Sequence, residues 1–154
     1  MKLDPLTKTG SPFQHLLIAT ATDAHDALLA LNHNGTVVRF ARGKKAGNVA
    51  DFFDEFSAAL QFPFYFGENW DAFSDCFDDL SWLNARAGVI VVFTDSLHLL
   101  KAATAKDVTT LKNVLKETCE HRNGKGKPPF HIVFQTEEKE AIELQKRWTG
   151  LMVI

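Results

Sequence analysis

Residues 88–94, GVIVVFT, are apolar at nearly every position. A segment this short and this rich in β-branched side chains reads as a strand. Without polar alternation, it must be covered on both faces. That demand points to a layered architecture with helices packed on a sheet. Two further runs, TVVRFA (36–41) and FHIVFQ (130–135), read as strands too. Between the first two lie the helical patterns NVADFFDEFSAALQF and ENWDAFSDCFDDL. Between the second and third lies SLHLLKAATAKDVTTLKNVLKETCEHR, mostly helical, closed by the loop NGKGKPP. Strand, helices, strand, helix, strand implies parallel pairing with right-handed crossovers, hence a small α/β layered domain.

The flanks are less defined. Within residues 1–35, DAHDALLAL (23–31) reads as a short helix ended by the turn signal NHNG. Residues 136–154 give an amphipathic helix, EEKEAIELQKRW, and an apolar tail, GLMVI, which either forms a further strand or covers the core.

A length of 154 residues suits one core rather than two. The longest apolar run is far too short to span a bilayer, and MKLDPLTKTGSPF shows no apolar signal core. Cys76 and Cys119 form neither a CxxC pair nor a disulfide framework, as expected of reduced thiols in a cytoplasmic protein. His15, His25, His33, His98, His121 and His131 show no zinc spacing, and His131, within a strand, is expected to be a satisfied structural side chain. There is no Gly-rich phosphate loop and no Ser or Cys nucleophile motif, so neither cofactor nor enzymatic activity is expected.

Charge is the informative property. The net value of −2 conceals a segregation: residues 51–85 hold eight acids and no Lys or Arg, leaving eleven acids against all seventeen bases elsewhere. On a helical wheel, Trp70, Phe73, Phe77 and Leu80, with Ala72 and Cys76, share one side. Asp71, Ser74, Asp75, Asp78 and Asp79 share the other. Asp71–Asp75 and Asp75–Asp79 are like-charge i, i+4 pairs, each costing roughly 0.2–0.5 kcal/mol. Glu68 and Asp71 recover something at the positive helix start, whereas Asp78 and Asp79, at the negative end, are expected to recover nothing.

The bland reading of such a run is a solvated face. A metal site would need carboxylates converging from different elements, and acid/base catalysis would need two in unlike environments across a cleft. A docking surface for a basic protein needs neither. The preceding FPFYFG adds aromatic residues, which suit a protein interface. Direct nucleic-acid binding through this face is disfavoured, because acids repel phosphates.

The stretch FPFYFGENWDAFSDCF resembles the signature of the barstar family, intracellular inhibitors of the extracellular ribonuclease barnase. Pro63, Tyr65, Phe66, Gly67, Glu68, Asn69, Asp71, Ala72, Asp75 and Cys76 carry the resemblance. Strand order and helix spacing fit from about residue 36 to 135, with 1–35 as an N-terminal extension and 136–154 as a C-terminal helix and tail on the same domain. The resemblance implies a three-stranded parallel sheet with helices. It further implies an acidic helix and loop that plug a nuclease active site in place of RNA phosphates.

Carried over residue by residue, Asp75 matches the central phosphate mimic and Asp71 the acid one turn earlier. Tyr65 matches a ring stacking at the edge of the cleft, Gly67 and Asn69 match loop contacts, and Glu117 matches a further interface acid. Phe66, Trp70, Ser74 and Asp78 join them as expected partner-binding residues. Ser74 stands where the type member has a large aromatic residue, Asp78 replaces a small hydroxyl residue, Asp79 a Gly, and Trp70 a smaller apolar residue. These departures bear on partner identity more than on mode of action. The expected partner is a basic ribonuclease or nuclease-type toxin, bound one-to-one by a monomer acting as its immunity protein. The alternative is a binding module of the same fold for a non-nuclease basic protein.

Overall fold

The computed structural model describes all 154 residues. The chain runs β1 (Gln14–Ile18), α1 (Ala21–Leu29), β2 (Thr36–Arg42), α2 (Val49–Leu60), α3 (Trp70–Asp79), β3 (Gly88–Thr94), α4 (Ala105–Arg122), β4 (Phe130–Thr136), α5 (Glu138–Arg147) and β5 (Met152–Val153). The strands form one parallel sheet in the order β2-β3-β4-β1-β5. This corrects the expected three strands to five. QHLLI, in the N-terminal segment, pairs with β4 on the side away from β3, and the tail adds β5 beyond it.

All seven residues of β3 are buried. Val89, Val91 and Phe93 join the larger core with Phe52, Phe56, Phe73 and Phe77 of α2 and α3, Leu111 and Leu115 of α4, and Leu144 of α5. Ile90 and Val92 point into a second core with Leu17, Val38 and Val133, covered by Ala24 and Leu28 of α1 and by Leu6. The period-two alternation therefore assigns the two cores, and the N-terminal segment supplies the lid of the second.

Beneath that lid lies a buried histidine pair. The Lys8 carbonyl can only accept, so the His131 Nε2–H donates to it at 2.8 Å. The bare Nδ1 of neutral His131 then accepts from His15 Nε2–H at 3.0 Å, which leaves the buried His15 Nδ1 without a partner. His131 is thus the bonded structural side chain its position implied. Burial, reinforced by the neighbouring His131, pushes the His15 pKa down to about 4, and burial lowers that of His131 as well.

Because His15 protonates more readily in the unfolded chain, its contribution to stability is complete above about pH 6.5 and declines as the pH falls toward about 4. His15→Gln should flatten part of this decline, read from urea midpoints across that range. Parallel profiles for variant and wild type would contradict it.

Candidate protein-binding surface

The entry to α3 is built by Asn69. Its Oδ1 accepts from the Ala72 N–H at 2.9 Å, and its Nδ2 donates to the Gly67 carbonyl at 3.1 Å. This N-cap fixes where the helix begins and how the loop arrives. Gly67 leaves room for the contact, since a Cβ there would lie 3.2 Å from Asn69 Nδ2. Asn69 and Gly67 therefore shape the loop, whatever else they touch.

Aromatic residues then decide which way the loop faces. Phe66 turns inward, edge-on to Phe53 at 5.7 Å and to Phe62 at 5.1 Å. Trp70 is half-buried against Phe53 at 5.0 Å, and its indole N–H donates to Asp107 Oδ1 at 3.1 Å. Both pack under the loop and keep only part of their surface outside. Tyr65 is 67% exposed, and Phe64, absent from the sequence-based set, is fully exposed.

The wheel holds in three dimensions. Phe73, Cys76 and Phe77 are buried, while Asp71, Asp75 and Asp79 are exposed. The side chains of Glu68, Asp71, Asp75 and Glu117 make no hydrogen bond or ion pair, whereas Asp79 Oδ1 accepts from the Ser81 N–H. Burial raises the pKa of the Cys76 thiol, helped by the fields of Asp75 and Asp79, so this cysteine is held as a neutral packed thiol. Cys119, deeper still, is pushed up to about 12 by burial.

A groove between α3 and α4 is lined by Ser74, Asp75, Asp78, Glu117, Thr118 and His121. The fold thus brings Glu117 opposite Asp75 from 42 positions away. It also corrects the expectation for the helix end. His121 is bonded through Nδ1 to Asp78, and Lys127 Nζ approaches its Nε2 at 3.2 Å. An ammonium can only donate, so Nε2 is bare and Nδ1–H points at the carboxylate. Arg122 Nη1 donates to the carbonyls of both Asp78 and Asp79, at 2.8 and 2.9 Å, with its guanidinium over the Phe130 ring at 5.0 Å. The Arg122 cation from α4 therefore meets the negative end of α3, while the neutral His121 ring donates to the Asp78 carboxylate. No local pattern could reveal this, since Arg122 lies 43 residues from Asp79.

The sequence model of the family described as Barstar (barnase inhibitor) matches residues 36–135. The chain belongs to the barstar family. No curated protein matches it in sequence. Among solved structures it is similar to the Aeropyrum pernix ORC2 protein in its ADP form, with a TM-score of 0.61 and 11% identity over 94% of this chain and 42% of that one. It is likewise similar to the same protein's ADPNP–ADP complexes, with a TM-score of 0.57 and 12% identity over 94% of this chain and 41% of that one. The chain spans under half the length of these structures, and at such identity the likeness is one of fold alone.

In open parallel sheets, ligands bind at the carboxyl ends of the strands, where the connections diverge. Here the Gln135 amide spans that place, accepting from Asp95 N–H and donating to the Ala19 carbonyl, each at 2.7 Å. The turn after β1 is closed by Thr20, which caps α1 by accepting from Asp23 N–H. It carries neither Gly nor Lys for a phosphate.

Losing the Arg122 guanidinium should loosen α3 without touching its acids. Arg122→Gln is expected to cost roughly 1–3 kcal/mol of stability by urea unfolding, from unmet carbonyls at the helix end. An unchanged midpoint would show that the contact carries no stability.

Proposed function

We propose that this protein inhibits a basic ribonuclease by seating the acidic side of α3 and the preceding loop in its active-site cleft. One observation carries the reading. Glu68, Asp71, Asp75 and Glu117 form a run of exposed carboxylates with no partner in the chain, on a fold whose family is named for barnase inhibition. Unpaired like charges cost the free protein stability, and a cationic cleft offsets that cost on binding.

The encounter begins at long range, where the segregated charge steers a basic partner toward α3. At contact, Asp75 meets the cations that otherwise hold RNA phosphate. Asp71 and Glu117 flank it, while Tyr65 stacks at the rim and Ser74 leaves room beside it. Asp78 contributes differently from the others, since His121 already engages it. The protein acts as a monomer, one-to-one, as a cytoplasmic immunity protein against a nuclease-type toxin. It uses no metal and makes no direct contact with RNA.

Titration of barnase-catalysed RNA cleavage tests this. Wild type should inhibit stoichiometrically, and Asp75→Ala should bind weaker by about 2–5 kcal/mol or more, the loss expected when one member of a buried charge pair is removed. Association should slow steeply with rising salt, because exposed charges steer it. Absence of inhibition would move the partner to another basic protein, and full inhibition by Asp75→Ala would remove the residue from the site.

A further inference from the structure

Twelve of the thirteen phenylalanines are buried or half-buried, and Phe64 alone is exposed, and completely so. Its position is set on both sides. Phe62 packs edge-on to Phe66 at 5.1 Å and Trp82 at 6.0 Å, the Trp82 indole N–H donates to the Leu60 carbonyl at 2.8 Å, and the Phe66 N–H closes a turn onto the Pro63 carbonyl at 3.0 Å. With both flanking rings held inside, residues 63–65 project as a tip. Phe64 and Tyr65 brace each other edge to face at 5.7 Å. The tip leads directly into Glu68 and Asp71, so a bare aromatic ring and unpaired carboxylates lie on one short stretch of chain.

We propose that Phe64 is an apolar anchor of the binding surface, entering the recess in which a ribonuclease stacks a nucleobase. The inference rests on the proposed function. A cleft that takes single-stranded RNA must hold two chemistries side by side: cations for phosphates and a flat, stacking surface for bases. The carboxylates of α3 complement the first but offer no flat face for the second, and Tyr65, placed at the rim, leaves the recess itself to a further ring. Phe64 supplies a planar face beside them, at the small entropy cost of a two-torsion side chain on an anchored loop. The occupant is therefore the base-binding recess of a basic ribonuclease. A second copy of this chain is a poorer fit, because the tip would then bring like-charged faces together.

Binding to barnase, measured as separate association and dissociation rates at low and high salt, tests the assignment. Phe64→Ala should speed dissociation by at least about tenfold at both salt levels and leave association unchanged, since the contact is apolar and short-ranged. Phe64→Trp should retain slow dissociation, whereas Phe64→Leu, which keeps apolar area but loses the planar ring, should resemble Phe64→Ala. Thermal midpoints should match wild type for all three, because the ring touches no core.

Unchanged dissociation of Phe64→Ala, in the presence of a strong Asp75→Ala effect, would overturn the anchor and leave the inhibitor reading intact. Phe64→Leu equal to wild type would overturn base-recess stacking. Self-association of the free chain that Phe64→Ala abolishes would place a second copy on the ring and overturn the assignment. No complex between wild type and barnase would count against the inhibitor reading and the anchor together.

Discussion

The central strand must be dry on both faces, and the other layers follow from that. Val89, Val91 and Phe93 bury themselves under α2, α3, α4 and α5, and Ile90 and Val92 under α1 and the N-terminal segment. Each fully buried aliphatic or aromatic side chain is worth about 1.5–3 kcal/mol relative to exposure, so neither face can be left open. This is why the N-terminal segment is part of the domain's core. It adds β1 beside β4 and closes the second layer through Leu6, Ala24 and Leu28.

The acidic helix is held from behind so that its front stays free. Asn69 caps its start, Phe73 and Phe77 anchor its buried side, and Arg122 binds its last carbonyls while lying over Phe130. These contacts fix the helix without using Asp71 or Asp75. The chain thus spends none of its own cations on the two carboxylates the proposed function needs most, and places Glu117 across the groove from Asp75. In the proposed function, stability and binding are carried by opposite sides of one helix.

Much of this was legible in the sequence. The runs at 36–41, 88–94 and 130–135 became strands almost to the residue, because apolar β-branched segments between helical patterns leave few alternatives. The wheel placed Phe73, Cys76 and Phe77 inside and Asp71, Asp75 and Asp79 outside, as found. QHLLI escaped because it is short and carries Gln and His; it becomes a strand only through pairing with residues 132–136. The contacts around Asp78 escaped for the same reason, since Arg122 and His121 arrive from another helix. Phe66 and Trp70 stand in the expected partner-binding set, but how far each ring turns inward depends on Phe53 and Phe62, outside the motif.

On the proposed function, the exposed carboxylates of α3 serve a partner and cost the free protein stability. Urea unfolding of the unbound chain, wild type against Asp75→Ala, tests it at low and high salt. Removing Asp75 relieves two like-charge pairs, so the variant should equal wild type or exceed it by up to ~1 kcal/mol at low salt, with the difference shrinking as salt screens the charges. A clearly less stable variant would contradict the account, because Asp75 would then be holding the fold instead of waiting for a cation.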